Sequence, residues 1–265
     1  MADAGRDVDP ALVRYDPNRP RIVVGRDASI LWFDAWMAVV WKPAHMLAVP
    51  AAGRQDSDNV LRFVGQRLGT ALAVHRLDEE TSGLMMIART EPAQEALKAR
   101  LEAHAIERGY LALVKGVFPT GDVKEFRTTI VRDRGDGKRG SVGTFDPEAR
   151  RRHGDQEGKL AVTFVRAVER AGKHTLVEAR LETGRTHQVR IHLAESGHPV
   201  LGDPIYADRG IERMSPRLAL HAARLSFVHP FTGAKHAFEA PLADDLEMLR
   251  RRLVEGRNEP AYGKR

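Results

Sequence analysis

Two short stretches hold the side chains best suited to chemistry. In HRLDEETSG (residues 75–83), Asp78 follows Arg76 by two positions and precedes an acidic pair and a Thr-Ser-Gly turn. In TGRTHQVRIH (residues 183–192), Arg185 stands just ahead of a predicted helix, with His187 and Arg190 inside it. Helix N-termini attract anions, so the second stretch suits a phosphate, a carboxylate or both. If Arg185 meets Asp78, the guanidinium favours the ionised carboxylate, lowering its pKa by about 1–3 units. That suits a nucleophile or a weak base and not a general acid. The plainer alternative is a turn aspartate at a strand end.

Other chemistries are excluded or poorly supported. The chain has no cysteine, which rules out disulfides, thiolate nucleophiles and Cys-based zinc sites. It carries neither a P-loop, nor a dinucleotide fingerprint after a strand, nor a Gly-x-Ser-x-Gly elbow. His187 and His192 are five apart, the wrong spacing for metal ligands on one helical face. His75, His104 and His221 lie in apolar segments and read as hydrogen-bonded core residues.

The elements that must position these groups are short and mixed. ILWFDAWMAVVWKP reads as two strands divided at Asp34, and DSDNVLRFVGQRLG as a helix capped by Asp58. TALAVHRLD reads as a strand that delivers Asp78 at its end, followed by the strand LMMIART. Thr90 caps a helix with Pro92 in its first turn. GYLALVKGVF suits a strand covered on both faces, and residues 160–182 form two strands around Gly172. A helix is predicted over residues 186–195 with Gly197 stopping it, then further strands and a basic helix over 244–255. Strands outnumber helices without βα alternation, so the fold class is α+β. Residues 1–22 read as an N-terminal arm, 23–256 as one catalytic domain and 257–265 as a tail. The Gly- and charge-rich stretch over residues 132–158 reads as an insertion loop. It is either a solvated surface or a clamp gripping phosphates at Lys138, Arg139 and Arg150 to Arg152.

Of 265 residues, 42 are Lys or Arg and 36 are Asp or Glu, for a formal charge of +6. That balance makes a polyanion a fitting partner. The polar, acidic start lacks the pattern of a signal peptide, and the longest apolar run, AWMAVVW, is too short to cross a bilayer. A cytoplasmic setting is the default expectation.

HRLDEETSGLMMIA resembles the active-site signature of the RluA-type pseudouridine synthases, His-Arg-Leu-Asp followed by Thr-Ser-Gly. The resemblance extends in order over residues 30–243. VVWKPAHMLAVP is similar to that family's Lys-Pro segment, RGYLALVKG to the segment with the active-site tyrosine, LETGRTHQVRIHLAESGHPVLGDPIYA to the Thr-Gly-Arg-x-His-Gln block, and PRLALHAARLSFVHPFTG to the C-terminal block. VPAAGR, GHPVLGD and SPRLALHA resemble the subgroup acting on both a tRNA anticodon stem-loop and a 23S rRNA hairpin.

The resemblance implies a mixed, mostly antiparallel sheet with flanking helices, in two lobes around an RNA cleft. It implies isomerisation of uridine to pseudouridine without metal or cofactor, on tRNA, rRNA or both, by a monomer with no membrane partner. It makes Asp78 the catalytic aspartate, Tyr110 the tyrosine that stacks on the target base and Arg185 the arginine paired with the carboxylate. Arg76 matches an arginine that fills the space left by the extruded base, and Lys42, His187 and Arg190 are expected to contact RNA. An inserted cation and a stacking aromatic offset the stacking lost when a base is flipped out. Whether Asp78 attacks or accepts a proton stays open. A catalytically silent RNA-binding module on the same fold is the alternative from another class. There are departures: Trp41 stands where Asn is usual, His45 for Gly and Arg108 for Lys. Residues 1–22 are expected to be too short an arm for an S4-type RNA-binding domain.

Overall fold

The computed structural model describes residues 12–14, 22–25, 28–54, 57–142 and 158–257. Its strands join in one sheet of order β2-β3-β4-β6-β12-β7-β11-β10-β8-β9. In chain order these are β1 (Leu12–Arg14), β2 (Ile22–Gly25), β3 (Ala28–Phe33), β4 (Met37–Lys42), β5 (Leu72–Ala73), β6 (Ser82–Ala88), β7 (Ile106–Val114), β8 (Lys124–Val131), β9 (Gly140–Ser141), β10 (Lys159–Ala171), β11 (His174–Leu181), β12 (Leu220–Val228) and β13 (Lys235–Glu239). Pairing is antiparallel except for β6 with β12 and β1 with β13. The segment read as an arm therefore supplies an edge strand, β1, alongside β13.

The central strands are buried on both faces, so their alternation sorts one run of apolar residues into two cores. In β6, Met85 and Ile87 join one cluster while Leu84, Met86 and Ala88 join the other. The first core is closed by α1 (Val60–Leu68), α3 (Gln188–Glu195) and α5 (Asp244–Val254) through Val60, Val64, Val189, Leu193, Leu246, Leu249 and Leu253. The second is closed by α2 (Glu91–Glu102) through Ala93 and Leu97. A short α4 (Arg209–Glu212) lies between α3 and β12.

Local signals explain most boundaries. Asp34 Oδ1 accepts from the amides of Trp36 and Met37, closing the turn between β3 and β4. Thr90 caps α2 as expected. The cap of α1 is Asn59, one residue after Asp58, its Oδ1 accepting from the Arg62 amide. Helix α3 starts two residues later than predicted, because His187 adopts a left-handed conformation (φ 60°). Of the insertion, residues 132–142 are described and include β9, which pairs with the end of β8. Arg150, Arg151 and Arg152 lie outside the described residues.

Candidate active site

Asp78 is not at a strand end. The strand predicted to deliver it stops at Ala73, and residues 74–81 run as a loop into β6. The cause is visible in the hydrogen bonding: the Met86 amide donates to His75 Nε2 at 3.0 Å, so a side chain takes a position in the ladder that backbone would otherwise fill. Burial pushes the His75 imidazole down to about 3, consistent with its neutral, accepting role.

The loop is fastened from both sides. The Thr81 amide donates to Asp78 O at 3.0 Å, closing a turn. Lys42, at the end of β4, donates from Nζ to the carbonyls of Pro43, Met46 and Glu79 at 2.8, 2.8 and 2.9 Å. Arg217 donates to the Glu80 carbonyl and Ser82 Oγ while gripping Asp245 of α5 through Nε and Nη2. At the end of the loop Gly83 has φ 117°, and a Cβ there would lie 2.2 Å from the Ala222 carbonyl oxygen. Only glycine allows β6 to approach β12 this closely. Lys42 is thus a buried staple with no accessible surface, which corrects the expectation that it contacts RNA. It closes a strand covered on both faces, so its side chain ends inside. His45, which replaces a usual glycine, takes a left-handed conformation (φ 58°).

Asp78 lines a cavity of about 740 Å³ together with Arg76, Tyr110, Arg185, His187 and Arg190. The guanidinium on Asp78 is that of Arg190, which donates from Nη1 to Oδ2 at 3.1 Å. This corrects the pairing expected of Arg185. That residue donates from Nε to the Leu160 carbonyl at 2.9 Å and meets no carboxylate among the described residues. The geometry follows from the late helix start. Arg185 falls in the exposed loop before α3, while Arg190 lies in its first turn with its side chain turned into the protein. Arg190 also grips Asp203 with two bonds of 2.8 Å, and Asp203 Oδ1 accepts from the amides of Ile205 and Tyr206. Burial works against the charge on both partners, yet their contact outweighs it, holding Arg190 above its usual range and Asp203 below. Oδ1 of Asp78 has no partner among the described residues.

The remaining expected residues gather around this chain. His187 Nε2 lies 3.8 Å from Asp78 Oδ2, and its Nδ1 is 3.0 Å from the Tyr206 hydroxyl. Burial lowers its pKa, against the pull of Asp78. Tyr110 on β7 forms one wall of the cavity and is nearly buried, which raises its phenol pKa. Arg76 is exposed at the rim, with no hydrogen bond among the described residues.

Sequence reasoning missed Asp203, Tyr206 and Gln188. Gln188 is buried and binds Thr183 Oγ1, the Arg185 amide, the Val162 carbonyl and Thr163 Oγ1, which fixes the loop over residues 183–187. All three lie in the block whose resemblance was noted, but they act through other side chains, and no spacing rule signals that.

Asp78 thus sits in a loop on the wall of a basic cavity that Tyr110 also lines, gripped by the buried guanidinium of Arg190. The family described as RNA pseudouridylate synthase matches residues 37–195. The chain belongs to that family. It is 37% identical over 236 residues to ribosomal large subunit pseudouridine synthase D of Neisseria meningitidis serogroup A, covering 83% of this chain and 60% of that protein. With the protein of the same name from Zymomonas mobilis it shares 35% over 267 residues, covering 93% of this chain and 78% of the relative. This pseudouridylate synthase family member thus spans 60% of the length of the meningococcal proteins it matches. Its fold is that of human RNA pseudouridylate synthase domain containing 1, with a TM-score of 0.66 at 24% identity over 92% of this chain and all of that one. No helix among the described residues is long and apolar enough to cross a membrane.

Proposed function

We propose that this chain isomerises uridine to pseudouridine in structured RNA, with large-subunit rRNA as the substrate class. Family membership and the names of the relatives support the reaction and the substrate. The observation that carries the site is Asp78, which lines the cavity with one oxygen bound by Arg190 and the other without a partner among the described residues. The resemblance of VPAAGR, GHPVLGD and SPRLALHA to the dual-specificity subgroup adds a tRNA anticodon stem-loop as a second substrate.

In the reaction the N1–C1′ bond breaks, the uracil turns, and a C5–C1′ bond forms. A proton leaves C5 and one is gained at N1, so no oxidant, reductant or metal is needed for balance. The target nucleotide must leave the helix to reach Asp78, at an unstacking cost that the wall of Tyr110 and a cation at the rim, Arg76, offset. Asp78 then attacks the sugar or removes a proton from it. Arg190 holds the carboxylate in place and is itself held by Asp203, so the reacting group is fixed before substrate arrives. Asp78, Arg190, Asp203 and Tyr110 all belong to one chain, so a single copy holds these groups of the site, and in this reading the protein acts as a monomer in the cytoplasm.

The test is incubation with unmodified transcripts of large-subunit rRNA hairpins and of tRNA, followed by nucleoside analysis. Pseudouridine in the rRNA transcripts supports the reading. Pseudouridine in tRNA alone moves the substrate class, and none in either overturns it.

A further inference from the structure

The cavity holds a buried cation that the reaction above leaves unused. Arg108 lies on β7 two residues before Tyr110, in register with Leu181 of β11 and Leu225 of β12. It lines the cavity yet is only 8% exposed. A guanidinium carries five N–H donors. Among the described residues Arg108 makes one hydrogen bond, from Nη2 to the Glu182 carbonyl at 3.3 Å, and its buried Nε has no partner.

Nor does a carboxylate offset its charge. Burial lowers the Arg108 pKa, and the groups acting on it are the Tyr110 phenol and the like-charged Arg185. A buried cation without a counter-ion is costly in the free protein. The backbone nonetheless makes room for it. A Cβ on Gly184 would lie 2.5 Å from Arg108 Nη1, so glycine at this position lets the guanidinium lie against the loop that carries Arg185. Arg185 spends only its Nε, on the Leu160 carbonyl. Its two terminal nitrogens have no partner among the described residues.

We infer that Arg108 and Arg185 form a phosphate-binding subsite inside the cavity, which takes one phosphodiester of the RNA strand beside the nucleotide presented to Asp78. Two guanidiniums brought together without a carboxylate repel each other until an anion sits between them. A full negative charge satisfies both, whereas a neutral base carbonyl does not. The planar fork of each also matches a pair of phosphate oxygens. His104 closes the same end of the cavity, its Nδ1 donating to the Glu182 carbonyl that Arg108 uses. The inference rests on the proposed RNA-directed function and gives Arg185 a role that does not involve Asp78.

The experiment is equilibrium binding of an rRNA stem-loop transcript to the whole chain at salt concentrations between about 50 and 200 mM. Wild type is compared with Arg108→Met, Arg185→Ala and the double variant, and melting is followed in parallel. Each single variant should bind more weakly. The double variant should flatten the slope of log affinity against log salt by about 0.7–0.9, the weight of one phosphate. Arg108→Met should melt at or above wild type, since it removes a buried charge that nothing offsets. A lower melting temperature with an unchanged slope would make Arg108 structural, and lost turnover with an unchanged slope would assign it to the base. Arg185, being exposed, reports on the subsite even if Arg108→Met fails to fold. The readout is binding, so it separates from the proposed reaction. Flattened slopes without any pseudouridine would keep the subsite and remove the isomerase, and pseudouridine with unchanged slopes would do the reverse.

Discussion

Replacing Arg190 with Met should damage stability and activity for different reasons, and a second substitution should separate them. The Arg190 side chain is 5% exposed and joins Asp203, which is fully buried, to Asp78, which is 20% exposed. Removing the guanidinium strands the Asp203 carboxylate without a counter-charge, a change that costs about 3–5 kcal/mol. At about 2 °C per kcal/mol for a chain of this size, the melting temperature should fall by about 6–10 °C. Asp203→Asn in the same chain removes the stranded charge while its side-chain oxygen still accepts from the amides of Ile205 and Tyr206. The double variant should therefore recover most of the lost stability. It should not recover turnover, because Asp78 still lacks the donor on Oδ2. Thermal melting and single-turnover pseudouridine formation on the three proteins decide the matter. A melting temperature for Arg190→Met within a degree or so of wild type would refute the stranded-charge argument. Wild-type turnover in the double variant would refute the positioning role.

Three further outcomes follow from the same site. Burial lowers the Lys42 ammonium to about 7 from 10.5, so between those values the unfolded chain keeps a proton that the folded one has lost. Raising the pH through that window should stabilise wild type relative to Lys42→Met, by up to about 1.4 kcal/mol per pH unit, with no further change below about 7; a denaturation series showing a gap that shrinks or stays level as pH rises would contradict this. Tyr110→Phe should keep RNA affinity while Tyr110→Ala loses the base-stacking contribution of about 1–3 kcal/mol, and equal binding by the two would remove stacking from the account. Gly83→Ala should unfold the protein or leave it insoluble, because the added Cβ meets the Ala222 carbonyl and the backbone conformation disfavours it; a soluble variant with a wild-type melting curve would show that β6 and β12 can separate there.

Much of this architecture was legible because it depends on local chemistry. The division of β3 from β4 at Asp34, the Thr90 cap of α2 and the strand at LMMIA all follow from residue type and spacing. The placement of Asp78 was not, since the strand leading to it is ended by a ring nitrogen of His75 bonding to Met86, a contact between a loop and a strand. The Arg185 and Arg190 assignment turned on two residues at the start of α3. With His187 left-handed, Arg185 drops into the loop and Arg190 reaches Asp78. Lys42 was expected to contact RNA on the strength of the resemblance. Only the tertiary fold shows three carbonyls converging on its ammonium. Asp203 is silent in sequence for the same reason, as its role exists only through Arg190.

The most direct test of the central claim is Asp78→Asn assayed beside wild type on the same unmodified rRNA hairpin. Both the pseudouridine formed and the affinity for the RNA are measured. Asn keeps the volume of the side chain but can neither attack efficiently nor accept a proton. The account predicts that wild type forms pseudouridine and that the variant forms essentially none while folding and binding RNA almost normally. Turnover by the variant above about a tenth of wild type, against the 10²-fold or greater loss expected for removing an acid–base or nucleophilic group, would contradict it.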